Sequence, residues 1–582
     1  MAEVLQVIAE KAGCVVRVSH APGSVPQGPW SGSGVLLTPD PAIVLCHGSV
    51  FSPFLLPAEH QDWAQSRFLL PDSFPPDIQI QVLRPAECSL KAPNRSWLGG
   101  DLAGNTPALR FNPLSNWHET PSGLRCHKAE LILMLPCVPF QDAFSKLFNS
   151  TEQWRFGTEM ELEEESSTPE DEAHILPWFA LLRILDGDSH GVGGVSCVAA
   201  ETLRKGDPVF ACGSPFGSFC PDIFMNTLSK GIVSNTSGEN DALILTDARC
   251  LPGTEGGGVY ALSETGLHLV GIIVAPLCWK SSEWVGLTLV CAVNSILHCI
   301  RNALSGPHRA LKTWLNPLEL VAKSHGKMVA RDGPHQQMLA AVVLVERGLT
   351  WGSGVIVNSR LVLTCRHVAN GATSVCVRLQ PSHGKSSVAK GKVVFATKDS
   401  SPYDVALVEL EDDLPTSTEP VLASEFYKGE DVSIVGFGVF GQACGPSVTS
   451  GILSAVITMG DEPVMLQATC AVHGGSSGGA LFSTHSGKLL GIVASNTRDN
   501  SIGVTYPHLN FSIPITVLQP ALLEYLHSRS LRGFRELDRV SHKIQVVWRL
   551  QREPVEDRSA SSEELQKREE KHCLSMPWLS YT

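Results

Sequence analysis

The chain has 582 residues, room for roughly two large domains or three to four of ordinary size. It carries 45 Lys+Arg against 58 Asp+Glu, a formal net charge of −13, and so lacks the excess of cations that non-specific nucleic-acid binding needs. Hydrophobic residues make up 43% and charged residues 18%, which excludes a broadly disordered chain. Gly (51) and Pro (38) are frequent and long helical patterns are few, which predicts many short strands joined by turns.

Met1 to Val16 carries Glu3 and Glu10 and has no apolar stretch, so no secretory leader is expected. No apolar run reaches the roughly 18 residues of a spanning helix. The 17 cysteines are odd in number and show no C-x-x-C spacing; they read as reduced thiols of an intracellular protein, many in the core.

The chain repeats itself. Ser31-Gly32-Ser33-Gly34-Val35-Leu36 followed by Val44-Leu45-Cys46-His47 returns as Gly352-Ser353-Gly354-Val355-Ile356 followed by Leu363-Thr364-Cys365-Arg366-His367. Gly206-Asp207-Pro208-Val209 returns as Gly429-Glu430-Asp431-Val432, and Lys230-Gly231-Ile232-Val233-Ser234 as Ser450-Gly451-Ile452-Leu453-Ser454. Leu269-Val270-Gly271-Ile272-Ile273 returns as Leu489-Leu490-Gly491-Ile492-Val493, always in the same order. Two copies of one β-rich unit follow, residues 1–305 and 335–525, with a linker at 306–334 and a C-terminal extension at 526–582.

Within the first copy, Glu159 to Glu172 holds eight acids and no cation, which reads as a solvated flexible insertion. The linker has a helical pattern around Leu318 to Lys323. Beyond Pro520, Leu522 to Leu531 reads as a closing helix, Lys543 to Leu550 as a strand, and Glu553 to Lys571 as disordered. Short runs such as Val355-Ile356-Val357, Leu361-Val362-Leu363, Val405-Ala406-Leu407-Val408 and Val432-Ser433-Ile434-Val435 predict antiparallel barrels or sandwiches.

Three motifs of the second copy belong together. Thr364-Cys365-Arg366-His367 follows an apolar strand, Asp404 opens a buried one, and Gly475-Ser476-Ser477-Gly478-Gly479 forms a glycine-rich turn. The order His, Asp, Ser is one of the arrangements of an acyl-transfer triad. A serine hydroxyl is a weak nucleophile and needs an imidazole base, here His367. The imidazole needs a carboxylate on its other nitrogen, here Asp404. The carbonyl attacked by Ser477 becomes an oxyanion, for which the amides of Gly475 and Ser477 are the candidate donors.

These stretches, with Gly491-Ile492-Val493-Ala494-Ser495 and Asn510-Phe511-Ser512-Ile513-Pro514-Ile515, resemble the trypsin-type serine proteases of the Deg/HtrA branch. The resemblance covers about 190 residues and implies an all-β fold of two six-stranded barrels per copy, the first copy degenerate. Ala480 stands where that family usually has Pro, and Ser476 where it has Asp or Asn, so activation by a new N-terminus is not expected. No PDZ-sized domain is expected after Pro520.

Aligned on the same motifs, the first copy has His47 for His367, Trp178 for Asp404 and Glu255 for Ser477, and reads as an inactive, pseudoprotease module. This pairing is similar to the peroxisomal leader-peptide-processing proteases, called glyoxysomal processing proteases in plants. That resemblance implies removal of leader peptides from peroxisomal matrix enzymes, including enzymes of fatty-acid β-oxidation, with self-association and self-cleavage. The chain ends Leu579-Ser580-Tyr581-Thr582, unlike the Ser-Lys-Leu type of import tripeptide. An alternative terminus is the favoured explanation; another import route or a cytosolic location stays open.

Ala471, Val472, Ala494 and Ser495 are the expected lining of the primary pocket. None is charged, so Lys or Arg would find no counter-ion there. A small or mildly apolar residue such as Cys, Ala or Val fits better, and the resemblance points to Cys. No cofactor or metal is expected, since Cys126-His127 and Cys365-Arg366-His367 lack a second pair at zinc spacing. Cys212 to Cys220 reads as a loop, and Lys385, Lys390 and Lys392 as a solvated turn. The rival classes are a catalytically silent protease-like scaffold, a cytosolic quality-control protease and an esterase. The last would need a strand–Ser–helix elbow, which is not seen.

Overall fold

The computed structural model describes residues 12–21, 30–56, 66–85, 124–148, 154–156, 173–185, 195–216, 220–263, 266–280, 283–305, 334–379, 388–413, 419–441, 443–499 and 504–550. The acidic insertion at 159–172, the linker helix at 318–323, Lys385 and the tail from Glu553 to Lys571 lie outside them. Among the described residues no helix is long and apolar enough to cross a membrane.

The fold is all-β in plan, built from closed six-stranded barrels. The chain divides into two units, Met1–Cys278 with Leu287–Ala330, and Trp279–Gly286 with Arg331–Thr582. In the first unit one barrel runs Gly13–His20, Trp30–Pro39, Ala42–His47, Ile78–Pro85, Leu124–Pro136 and Trp178–Ile184. A second runs Pro208–Gly213, Thr227–Ser237, Leu243–Thr246, Gly258–Ser263, Gly266–Ala275 and Thr288–Ala292. In the second unit the barrels are Val342–Arg347, Thr350–Asn358, Leu361–Thr364, Ser374–Arg378, Val388–Ala396 and Ala406–Leu410, then Asp431–Gly436, Ser447–Met459, Glu462–Ala468, Ala480–Ser483, Leu489–Asp499 and Val504–Pro514. Every barrel closes in one order: first, second, third, sixth, fifth, fourth.

Strand alternation fills each barrel from inside. Val343, Val345, Ile356, Val362, Val377 and Val408 form one such core in the second unit. Val44, Phe51, Val82, Trp178 and Leu182 form its equivalent in the first. Each buried side chain of this size contributes about 1.5–3 kcal/mol. The described cysteines are free thiols, most of them buried.

Three expectations about local structure need correction. Lys543 to Leu550 is not a strand; His542–Arg549 is a helix. Its buried Trp548 lies four residues from Ile544 and next to Val547, a helical spacing that the short β-branched run disguises. The closing helix starts earlier than expected, at Ile515, carries Pro520 inside, and ends at Ser528. Lys390 and Lys392 lie in the strand Val388–Ala396 rather than in a turn.

The C-terminal helices brace the second unit. Glu524 accepts from the Ser530 hydroxyl at 2.7 Å and the Gly533 amide at 3.0 Å, which fixes the start of the helix Arg532–Glu536. Phe534, fully buried, packs on Phe395 at 5.2 Å. Trp548 donates to the Val464 carbonyl at 3.2 Å and meets Tyr403 edge-on at 5.9 Å. Trp548→Ala is expected to lower the unfolding free energy by about 3–5 kcal/mol. Urea denaturation reads this directly, and an unchanged midpoint would show that the extension is not part of the folded unit.

Candidate active site

Asp404 is 1% exposed and sits just before the strand Ala406–Leu410. Thr397 sets the turn that delivers it: its hydroxyl donates to the Tyr403 carbonyl at 2.7 Å, and its amide to Val405 at 3.0 Å. The Ser401 hydroxyl donates to the Leu537 carbonyl at 2.8 Å, and the Lys398 amide to Asp538 at 2.8 Å. The acid loop is therefore tied to the C-terminal helices.

Asp404 uses both oxygens on one residue. Oδ2 pairs with His367 Nδ1, and Oδ1 accepts the His367 amide at 3.1 Å. The carboxylate thus fixes both the backbone and the ring of His367, and holds Nδ1 as the protonated nitrogen. The Arg366 guanidinium lies 3.8 Å from Asp404 Oδ1 and 3.4 Å from Asp399, and donates to the Lys398 carbonyl at 2.5 Å. Cys365 Sγ reaches the Val493 carbonyl at 3.2 Å, and burial pushes its thiol well above the ordinary range. Cys365, His367 and Asp404 do place ligand-type atoms within 4.8 Å of one another. A thiol held protonated by burial is a poor metal ligand, because the thiolate is the form that coordinates.

Ser477 is 3% exposed, in the loop before the strand Ala480–Ser483. One residue missed from the sequence organises this loop: Ser353, in the strand Thr350–Asn358. Its amide donates to the Ser477 carbonyl at 2.8 Å and its hydroxyl to the Gly475 carbonyl at 2.8 Å. The same hydroxyl accepts the Phe437 amide at 2.8 Å, and the Ser353 carbonyl accepts the Thr364 hydroxyl at 2.7 Å. Ser353 thereby links the Ser477 loop to the strand that leads into His367. Gly475 has φ +87°, and a side chain there would lie 2.8 Å from the Gly438 carbonyl, so only glycine fits. Trp351, 37% exposed, borders the same spot and donates to Gly438 at 3.3 Å. The signal that could have found Ser353 was its presence in both copies of the Gly-Ser-Gly motif.

Ala471, Val472, Ala494 and Ser495 are all buried to 2% or less. Thr449 bonds the Ala471 carbonyl at 2.8 Å, and the Val472 amide donates to Pro507 at 3.0 Å. His473, between Val472 and the glycines, accepts the Val439 amide on Nδ1 at 3.1 Å. Burial pushes its imidazole down to about 4, so it is neutral near pH 7.

The first unit keeps the loop geometry. The Ser33 amide donates to the Glu255 carbonyl at 2.8 Å, its hydroxyl to the Gly253 carbonyl at 2.8 Å, and the Ser214 amide to that hydroxyl at 2.8 Å. Glu255 thus has the register of Ser477, and Gly253, at φ +92°, that of Gly475. The Glu255 carboxylate folds back onto the Gly253 amide at 2.6 Å. The amide equivalent to a proposed oxyanion donor holds the chain's own anion.

His47 needs correction. Gly34 faces Cys46 as Gly354 faces Thr364, so His47 matches Cys365, and Ser49 matches His367. A side chain on Gly256 would meet the His47 amide, as one on Gly478 would meet that of Cys365. Aligning the two histidines by type overrode the strand register by two residues. His47 Nε2 donates to the Leu176 carbonyl at 3.0 Å and Nδ1 bonds the Ser49 hydroxyl at 2.8 Å. Burial pushes its imidazole down to about 4, so it serves as a buried neutral hydrogen-bonding group. Trp178 pairs in the register of Asp404, since Ala180 faces Cys46 as Ala406 faces Thr364, and it is 1% exposed.

A family model described as the trypsin-like peptidase domain matches residues 352–492. Barrels of this topology with that match define the protein as a trypsin-like serine protease. A peroxisomal leader peptide-processing protease of Mus musculus is 49% identical over 562 residues, covering 94% of this chain and 96% of that one. Its namesake in Homo sapiens is 49% identical over 563 residues, with the same coverage of 94% and 96%. A Do-like HtrA serine protease of Lactobacillus helveticus is 30% identical over 173 residues, 28% of this chain and 40% of that one. The chain belongs to the family of the peroxisomal leader peptide-processing proteases.

Two outcomes are expected. Ser353→Ala should reduce kcat about hundredfold, because a small misplacement of the loop misaims its amides, with KM little changed. Steady-state kinetics read this, and an equal loss of kcat on a folded variant with raised KM would point elsewhere. His473, whose folded value lies below its ordinary 6.5, costs nothing above pH 6.5 and destabilises as pH falls from there towards 4. His473→Asn should remove up to about 3 kcal/mol of that acid-side loss, measured as the difference in urea stability between variant and parent at each pH. Parallel curves would show that His473 is not buried neutral.

Proposed function

We propose that Ser477 is the nucleophile, His367 the general base and acid, and Asp404 the orienting carboxylate of an endoprotease. The Gly475 and Ser477 amides serve as its oxyanion donors. In acylation Ser477 Oγ attacks the scissile carbonyl while its proton passes to His367 Nε2. The tetrahedral oxyanion is held by the two amides. Collapse breaks the C–N bond, and the proton goes from His367 to the leaving amine. Water, deprotonated by the same imidazole, then hydrolyses the acyl-enzyme and restores Ser477. The observation that carries this reading is the double hold of Asp404 on His367, by ring and by amide. The Glu255 carboxylate on the equivalent loop of the first unit supports the oxyanion assignment, since that geometry stabilises a negative oxygen.

The substrates are peroxisomal matrix proteins carrying leader peptides, including enzymes of fatty-acid β-oxidation. This rests on the names of the mouse and human relatives and on the family resemblance. Self-cleavage and self-association belong to the same reading, as does residence in the peroxisome. The copies at 1–305 and 335–525 act as a non-catalytic module and a protease, joined at 306–334 and extended at 526–582. The first copy, with Ser49, Trp178 and Glu255 in the three positions, has no base, acid or nucleophile in place. An uncharged pocket at Ala471, Val472, Ala494 and Ser495 takes a small residue such as Cys, Ala or Val on the acyl side of the bond.

Purified full-length protein incubated with leader-bearing matrix enzymes is expected to release one new N-terminus, identified by sequencing. Ser477→Ala should reduce that cleavage, and any self-processing, by at least about 10³-fold without loss of fold. Undiminished cleavage by that variant would remove the triad and leave the protein a protease-like scaffold.

A further inference from the structure

The stretch Trp279–Gly286 lies, by sequence, between two strands of the first copy, yet it belongs to the second unit. It forms a small antiparallel hairpin in which Trp279 faces Trp284 and Lys280 faces Glu283. Its contacts converge on the segments flanking the proposed pocket. Gly286 has φ +74°, and a side chain there would lie 3.0 Å from Pro507 Cγ and 3.2 Å from Ala471 Cβ. Pro507 is itself bonded to Val472, so Gly286 backs two of the four residues expected to line the pocket. Trp284 packs edge-on against His508 at 5.4 Å. Glu283 Oε2 lies 3.6 Å from where a side chain on Gly474 would begin, one residue before the proposed oxyanion donor. The Lys280 charge also bears on buried His473, after burial itself. The indole N–H groups of Trp279 and Trp284 are out of solvent and have no acceptor among the described residues.

We propose that the hairpin strands Trp279–Lys280 and Glu283–Trp284, with Gly286 behind them, form the floor and rim of the primary specificity pocket, narrowing it so that only a small side chain enters on the acyl side of the scissile bond. This rests on the protease reading above. Gly286, packed against Ala471 and Pro507, is the backbone that a long side chain entering past Ala471 would meet, and any side chain on it would press on Ala471 and narrow the pocket. Trp284 holds the hairpin there through His508. Specificity of the protease is thus written partly in the sequence of the degenerate copy.

The test uses the full chain and two readouts. A fluorophosphonate reagent labels the activated serine whatever the pocket depth, and a peptide series varied only at the acyl-side residue (Gly, Ala, Cys, Val, Leu, Phe) reports the pocket. Labelling rates of the parent, Gly286→Ala, Trp284→Ala and Trp284→Phe should agree within about twofold, as expected for variants that leave the reacting groups in place. Gly286→Ala should lower kcat/KM for Cys and Val about tenfold relative to Gly, the effect of one methyl group in a tight pocket. Trp284→Ala should raise that for Leu and Phe about tenfold relative to Ala, and Trp284→Phe should restore the parental profile. If Gly286→Ala loses labelling through strain, the two Trp284 variants decide the matter. An identical profile in all labelled variants would overturn the proposal. Failure of the parent to label, or labelling that survives Ser477→Ala, would instead overturn the protease reading beneath it.

Discussion

One buried hydroxyl governs the geometry of the site. Ser353 offers three groups to three different stretches: its amide to the Ser477 carbonyl, its hydroxyl to Gly475 and Phe437, and its carbonyl to Thr364. A glycine-rich loop has little intrinsic preference for one shape, because each glycine has many conformations to lose. Four hydrogen bonds from one side chain and its backbone supply the preference from outside. Ser33 repeats three of these bonds in the first unit, to Glu255, Gly253 and Ser214. Since Ser33 keeps these bonds where Ser49, Trp178 and Glu255 stand in the registers of the proposed triad, the lock is a property of the barrel and its loop and does not depend on the proposed reacting groups.

The first unit shows the same loop with a glutamate in the serine's register. A backbone amide turned outward at a positive-φ glycine favours an anion. With glutamate in the serine's register, the anion comes from the chain itself, and the Glu255 carboxylate bonds Gly253 at 2.6 Å. Where Asp404 would need a charged partner in a dry site, Trp178 fills the volume with an apolar ring and no charge to compensate. Ser49 completes the exchange as a hydroxyl partner of His47. Trp178 thus avoids a buried charge, and Glu255 supplies an acceptor to the Gly253 amide.

Much of this was legible in the sequence because it depends on local pattern. The repeated order of motifs gave two copies, the short β-branched runs gave barrels, and the spacing of His367, Asp404 and Ser477 set out the second unit's candidate triad. What escaped depends on register or on distant partners. His47 matches His367 by residue type but lies two positions from its register, because Cys46-His47 pairs where Thr364-Cys365 does. The helix His542–Arg549 reads as a strand in the sequence because Ile544, Val546 and Val547 have β propensity, whereas the structure packs Trp548 on Tyr403 from a helix. Ser353 stands in the repeated Gly-Ser-Gly motif, but its role shows only through its four distant partners.

The acid of the proposed triad illustrates how far such dependence extends. Asp404 is a buried charge, and a buried charge must be hydrogen-bonded and held rigid to be tolerated. Its own carboxylate bonds His367, but its loop is also tied to Leu537 and Asp538, more than 130 positions later in the chain, through Ser401 and Lys398. Tyr403, adjacent to the acid, leans on Trp548, and burial pushes its phenol above the ordinary range, so the ring stays neutral beside the carboxylate. A protease of this plan that ended after its last barrel strand would leave that loop supported on one side. The helices beyond Pro514 therefore support the loop that carries Asp404 as well as packing on the barrel.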